Sequence, residues 1–311
     1  MSEVSAELQL TSLSEQLGTF LKSYCDCMRS FVWCRSFHYV EALSGVCKLG
    51  AGFDGAAKHG NSAGALTNYC QAHEDHLQLL RTFPRVALEQ SAFHSYTFVD
   101  PYFEREQLLN SLAREFSWKK LRAINNPCAN FLRYFAKRIP PNSQRALLFV
   151  DPFSMQVTWD TIQLLASSRA MDVIIILPSG ISLQRIFPSE LARLDAVRCA
   201  TFDQFFGATD WYDVLYDSKP QERGLKSSRI SSEVLVAEQV LIPPSGLRTA
   251  NPGGRLVKWY RDRLSLIFAE VSKPFLVRSS AGGQLYYLLV ASHRGSTVSL
   301  AQELLKSATD E

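Results

Sequence analysis

RALLFVDPFSMQVTWDTIQLLASSRAMDVIIILP, Arg145 to Pro178, is the stretch that decides how this 311-residue chain folds. ALLFV and MDVIIILP are continuous apolar runs, the signature of strands covered on both faces, and the β-branched content of the second strengthens that reading. Between them VTWDTIQLLASS carries its apolar residues at helical spacing. A strand, a corner at Asp151-Pro152-Phe153-Ser154, a helix and a second strand make one β-α-β unit, and parallel strands require such a crossover.

The alternation extends in both directions. Upstream, SFHYVEAL (Ser36 to Leu43) reads as a first strand, HSYTFVD (His94 to Asp100) as a second and LRAIN as a third, with FEREQLLNSLAREF and ANFLRYFAKRI as intervening helices. Residues 6 to 30 place leucines and aromatics at helical spacing. The glycine-heavy SGVCKLGAGFDGAAKHGNSAG is a loop, followed by an expected helix from about Ala65 to Leu80. Downstream, ISLQRIFPSELARL and TFDQFFGATDWYDVLY are aromatic-rich helical pieces, suited to a cap or substrate-side insertion. Ser218 to Gly254 reads as irregular, with room for a helix near Ser231 to Gln239. WYRDRLSLIFAEV then predicts a helix, KPFLVRSS and QLYYLLVAS a hairpin turned at Ala281-Gly282-Gly283 and therefore antiparallel, and VSLAQELLKSA a closing helix. The expected division is 1–35, an N-terminal helix; 36–180, the α/β core; 181–254, a helical or irregular insertion; and 255–311, completing the core. Parallel strands finished by an antiparallel hairpin predict a Rossmann-like class I methyltransferase fold, with a mostly parallel seven-stranded sheet.

Composition narrows the setting. The chain is 46% hydrophobic with a formal net charge of +3, which permits a nucleic-acid partner without requiring one. No apolar run approaches the roughly 20 residues of a membrane span, and MSEVSAELQL lacks the basic-then-apolar order of a secretion signal, so a cytoplasmic protein without a membrane partner is expected. Seven cysteines, at 25, 27, 34, 47, 70, 128 and 199, form no CxxC pair and no zinc spacing. His73 and His76 have no third ligand in view, so no metal site is expected.

In a sheet of this kind ligands bind at the carboxyl ends of the strands where the strand order reverses. Three such ends carry acids: Glu41, Asp100 and Asp151. Asp100 can accept both ribose hydroxyls of an adenosine-containing cofactor, or it can open a turn and cap the helix near Phe103. Glu41 belongs beside the cofactor, or is a surface-facing residue at a strand end. Ser44 and Gly45 begin the loop where backbone must approach a cofactor closely. The Asp151-Pro152-Phe153-Ser154 corner resembles the D/N/S-P-P-Y/F/W corner of methyltransferases acting on exocyclic amino nitrogens. There the Asp carboxylate and the Pro152 carbonyl accept hydrogen bonds from an NH2 group, Phe153 stacks on the base and Ser154 shapes the pocket. The alternative is a helix cap and turn. Arg122, Arg133, Lys137 and Arg138, with Arg169, Arg185 and Arg193, are interleaved with Tyr134, Phe135 and Trp159. They could track a phosphate backbone or be solvated helix faces.

FVDPFSMQVTWDTIQLLA with MDVIIILP, FFGATDWYDVLY and KPFLVRSSAGGQLYYLLVASHRGSTVS together resemble the three-Cys-motif partner (TcmP) family over about Phe37 to Lys306. The resemblance implies a methyltransferase-like fold, S-adenosylmethionine as cofactor, and a partner protein that carries the three cysteines. It also exposes departures. Where the family reads Tyr-Val-Asp-Gly-Phe-Ala-Gly-Pro-Gly, this chain has Tyr39-Val40-Glu41-Ala42-Leu43-Ser44-Gly45-Val46-Cys47, so a cysteine replaces the last glycine. Where it reads Gly-Asp-Ala-Asn, this chain has Pro127-Cys128-Ala129-Asn130, which keeps Asn130 as a cofactor-side residue and loses the acid. Three readings follow. One is methyl transfer to a base amino nitrogen of nucleic acid. Another is a catalytically silent module that binds nucleic acid or a partner protein within a phage-defence or mobile-element system. The third is modification chemistry performed jointly with the three-cysteine partner, with this chain as the substrate-recognition half.

Overall fold

The structure is a computed structural model that describes residues 3–43, 83–100, 103–151, 157–218, 246–279 and 282–305. The elements follow in order: α1 (Glu3–Ser30), β1 (Ser36–Leu43), a helix α2 over 83–90, β2 (Ser95–Val99), α3 (Phe103–Glu115), β3 (Leu121–Ile124), α4 (Cys128–Ala136) and β4 (Gln144–Asp151). Then come α5 (Trp159–Ser167), β5 (Met171–Pro178), α6 (Gly180–Ile186), a 3-10 turn at Leu191–Arg193, α7 (Ala196–Phe206), α8 (Trp211–Leu215), β6 (Tyr216–Ser218) and β7 (Gly246–Arg248). The chain closes with α9 (Pro252–Leu264), β8 (Glu270–Val271), β9 (Phe275–Arg278), β10 (Gln284–Ser292) and α10 (Gly295–Leu304).

The main sheet runs β3-β2-β1-β4-β5-β10-β8, with β9 also paired to β10. The first five strands are parallel. β10 is antiparallel to β5, Leu289 standing opposite Ile175. β8 lies against Ala291 and Ser292 of β10 and β9 against its first half, so these two short strands share one edge and eight strands fill seven positions. The hairpin expected from Ala281-Gly282-Gly283 is present: Gly282 takes φ +80°, and the Ser279 N–H donates to the Gly283 carbonyl at 2.7 Å.

Helices cover both faces. Val40, Leu148, Val173, Ile175 and Leu289 meet α4, α5, α7 and α9 on one side. Tyr39, Phe98, Phe149, Ile174 and Leu288 meet α1, α2, α3 and α10 on the other. Every residue of β5 is buried, which is why its sequence shows no alternation. In α1 the buried Leu17, Phe20, Leu21, Tyr24 and Met28 recur at intervals of three and four, one stripe of a 3.6-residue helix.

Three local readings change. The helix predicted from Trp259 starts at Pro252, because Pro suits the first helical position and the Asn251 side chain accepts the Gly254 N–H at 3.1 Å. Gly253 lets that helix touch the end of β5, since a Cβ there would lie 2.4 Å from the Ser179 Oγ. Past Leu264 the chain leaves the helix, and Glu270 and Val271 pair with β10. A two-stranded antiparallel sheet, β6 with β7, stands within and beside the stretch read as irregular. The helices expected at 65–80 and 231–239 lie outside the described residues. No helix among those described is long and apolar enough to cross a membrane.

Candidate functional site

The strand register brings the three acid-bearing strand ends level. Leu43 pairs with Asp151 on one side of β1, and on the other Glu41 pairs with Phe98, which puts Asp100, two residues further on, opposite Leu43. Strands lie about 4.8 Å apart, so the backbones of Asp100 and Asp151 flank β1 across roughly 10 Å. The chain moves outward from β1 through β2 to β3 and then returns to place β4 on the other side of β1. In sheets of this kind such a reversal is where ligands bind.

Glu41 is fully buried, which excludes the surface-facing alternative for it, and Asp100 is 3% exposed. The Tyr39 hydroxyl donates to Glu41 Oε2 at 3.1 Å, which points that carboxylate along the aromatic face of β1. The Asp100 N–H donates to the Ile124 carbonyl at 3.0 Å, tying the end of β2 to the end of β3. Asp151 ends β4. Pro152, Phe153 and Ser154, like Ser44, Gly45 and Cys47, lie outside the described residues. The described helix after the corner, α5, has Thr158 as its N-cap, seven residues beyond Asp151.

Asn130 is exposed in the first turn of α4, its N–H bonded to the Pro127 carbonyl at 3.0 Å. Cys128 is fully buried and its thiol donates to the Val99 carbonyl at 3.4 Å. It packs the helix against the end of β2, in the place where the resemblance expects an acid. The basic-aromatic group divides. Trp159 is 5% exposed and lies beneath the Arg263 guanidinium at 4.5 Å, a core position. Tyr134 is 55% exposed, with Arg138 stacked on it at 4.0 Å.

A Rossmann-like sheet ordered 3-2-1-4-5, extended by a final antiparallel strand inserted before the edge, has a specific name. It is the class I methyltransferase fold. The assignment rests on strand order and direction. No family model matches the chain, and no curated protein matches it. Among solved structures the chain is similar to protein LPL1258 from Legionella pneumophila, of the DUF519 family, at 12% identity, covering 96% of this chain and 90% of that one with a TM-score of 0.42. It is also similar to yhhF of Escherichia coli, described as a candidate methyltransferase, at 15% identity over 52% of this chain and 69% of that one, TM-score 0.26. A third is the pyocyanin biosynthetic protein PhzM, at 8% identity over 86% of this chain and 54% of that one, TM-score 0.31.

The opposite edge of the sheet holds a polar cluster that sequence reasoning missed. Asp172, second residue of β5, is 2% exposed. The Tyr24 hydroxyl donates to its Oδ2 at 2.8 Å and the Ser292 hydroxyl to its Oδ1. Burial pushes the Asp172 carboxyl above its ordinary range, against the opposing hydrogen bonds from Ser292 and Tyr24 and the charges of Arg294 and Arg145. Burial, then the carboxylate beside it, raises the Tyr24 hydroxyl well above its ordinary value. The visible signal was an acid inside the apolar run MDVIIILP, because a buried carboxylate needs donors drawn from elsewhere in the fold.

Proposed function

We propose that the chain is a methyltransferase-like protein that uses S-adenosylmethionine and acts on nucleic acid at an amino nitrogen of a base. The observation that carries this is the level placement of the Glu41, Asp100 and Asp151 strand ends at the reversal of a methyltransferase-type sheet. The acceptor set suits the cofactor: carboxylate oxygens accept hydrogen bonds, and a ribose and an amino group offer donors. Asp100 would take the ribose hydroxyls, and Glu41, Ser44, Gly45 and Asn130 would stand on the cofactor side. When bound, the cofactor supplies an electrophilic methyl group. Asp151 and Pro152 would orient the acceptor amine, Phe153 would stack on the base and Ser154 would shape the pocket. Likeness to the TcmP family, with a three-cysteine partner protein, belongs to the same proposal.

The experiment is calorimetric titration with S-adenosylmethionine and S-adenosylhomocysteine, followed by transfer of labelled methyl groups to DNA and RNA. Asp100→Asn should weaken cofactor binding at least tenfold while the melting temperature holds. Absence of binding by the folded parent would overturn the enzymatic reading. Cys128 favours the second reading, a catalytically silent module for nucleic acid or a partner protein within a phage-defence or mobile-element system. Its buried thiol fills the position where an acid toward adenine is expected.

A further inference from the structure

The amino-terminal edge of the sheet, opposite the acidic strand ends, carries a cation at five of its strands, β2 excepted. Lys120 precedes β3, Arg35 precedes β1, Arg145 is the second residue of β4, Arg169 precedes β5 by two residues, and Arg294 follows the antiparallel β10 by two. The register makes these positions nearly level. Ser36 pairs with Gln144, Ala146 with Met171 and Val173 with Ala291, so Arg35, Arg145, Arg169 and Arg294 fall within about two residues of one line across the sheet. From β3 to β10 there are five strand spacings, about 24 Å at 4.8 Å each.

The acids near this line are engaged. Asp26 is paired with Arg29 at 2.7 Å, Glu115 with Arg85 at 2.6 Å, and Asp172 is buried under Tyr24 and Ser292. Glu270, opposite Ser292, bounds the row at its far end. Arg35, Lys120 and Arg169 are exposed. Arg145 and Arg294 are half-buried and held in place by aromatic faces: both guanidinium groups stand over Trp33, at 4.6 and 5.4 Å, and Arg294 stands over Phe31 at 4.1 Å. Among the described residues, Arg145 Nε and Arg294 Nη2 are buried without a hydrogen-bond partner. Trp118, just ahead of β3, stands 74% exposed at the same edge, whereas Trp33 is covered by the two guanidinium groups.

We propose that this edge is a docking track for single-stranded nucleic acid, separate from the acidic strand ends. Cations spaced along the strand starts neutralise a phosphate backbone, and the exposed Trp118 indole gives an unpaired base a face to stack on, a pairing an acidic protein surface would not call for. The track does not depend on methyl transfer. It serves an active enzyme as a means of holding the strand whose base enters the far edge, and it serves a silent module as its binding surface.

The test is fluorescence anisotropy of the full-length protein with a fluorescein-labelled oligothymidylate and the matching oligouridylate, across a salt series. The triple variant Arg35→Glu, Lys120→Glu, Arg169→Glu should bind both probes at least tenfold more weakly. Its dependence of log affinity on log salt should fall by about 2, from roughly 0.7 per neutralised phosphate on a single strand, with an unchanged melting temperature. Trp118→Ala should weaken single strands several-fold and leave poly-glutamate competition unaffected. Each single substitution, all at exposed positions, provides the same readout if the triple variant does not fold. Parent-level affinity in the folded variants overturns the proposal, as does poly-glutamate competing as well as the oligonucleotide. Loss of binding only in Asp100 or Asp151 variants would place the strand at the carboxyl edge instead. Failure of cofactor binding leaves this measurement intact, so the two proposals fall separately.

Discussion

Asp151 and Asp172 are two aspartates at opposite ends of neighbouring strands, and their surroundings assign them different kinds of consequence. Asp151 ends β4 at the carboxyl edge, and the N-cap residue of α5 is Thr158, so Asp151→Ala should leave the melting temperature close to the parent's. Under the proposed function Asp151→Ala should lower methyl transfer about 100-fold, the scale of losing one group that stabilises a transition state, with Asp151→Asn less severe and cofactor affinity unchanged. Transfer at the parent rate would end the catalytic reading of the corner. Asp172 touches nothing at the carboxyl edge. Its carboxyl titrates above its ordinary value of 3.8 in the folded chain because it is buried. In the window just above that value the folded state therefore holds a proton that the unfolded state has lost. Its contribution to stability is greatest in acid and declines as pH rises through the folded-state pKa. Asp172→Asn removes that dependence, so urea melts should show the variant gaining on the parent as pH rises from about 4 toward neutrality; parallel curves would refute the assignment. Tyr24→Phe, which leaves a buried acceptor one donor short, should cost about 1–3 kcal/mol.

At the scale of elements, the junction between β5 and β10 decides whether the last strand enters the sheet. Gly180 follows β5 with φ +49°, and a Cβ there would lie 2.2 Å from the Gln284 carbonyl oxygen, which is backbone and cannot swing aside. Gly180→Ala should therefore cost more than the 1–2 kcal/mol of a left-handed residue alone, and chemical denaturation should show a loss of at least about 2 kcal/mol. Gly282→Ala, with the same handedness but open space around it, should stay within that lower range. Strands were the most legible elements in the sequence: SFHYVEAL, MDVIIILP and QLYYLLVAS coincide with β1, β5 and β10, because continuous burial leaves an unbroken apolar or alternating run. The β6–β7 pair was not legible, since three-residue strands carry no periodicity and Tyr216 and Gly246 are 30 positions apart. The start of α9 was hidden by Pro252-Gly253-Gly254, residues that usually mark a turn and here serve a helix cap and a close contact with Ser179. Of the site, Glu41, Asp100 and Asp151 were readable as acids at strand ends. Their common level follows from register, which no local pattern contains, and the same holds for the cations of the opposite edge.

On the scale of the whole molecule the sheet is polar, with acids at its carboxyl edge and cations at its amino edge, and α1 is the element that closes the structure around it. Residues 1–35 read in sequence as an N-terminal amphipathic helix, and α1 lies against α10 with its Leu17, Phe20, Leu21, Tyr24 and Met28 at most 1% exposed within the second core cluster. Four of these are Leu, Phe or Met, each worth about 1.5–3 kcal/mol on full burial, or roughly 6–12 kcal/mol together. That is comparable with the whole stability of a typical domain, about 5–15 kcal/mol. Tyr24 adds a donor that Asp172 would otherwise lack inside the sheet, and Arg294 donates to the Met28 sulfur at 3.4 Å, so removing α1 also loosens a residue of the proposed docking track. Residues 36–311 alone should consequently show no cooperative thermal transition and should bind a hydrophobic dye such as ANS, with helical far-ultraviolet dichroism partly retained. Full-length protein carrying Leu17→Ala and Leu21→Ala should melt cooperatively but with a loss of about 4–10 kcal/mol, the sum of two buried leucine truncations, or fail to fold if the parent is less stable than that. A sharp transition of the 36–311 fragment within a few degrees of the 311-residue chain would make α1 an appendage.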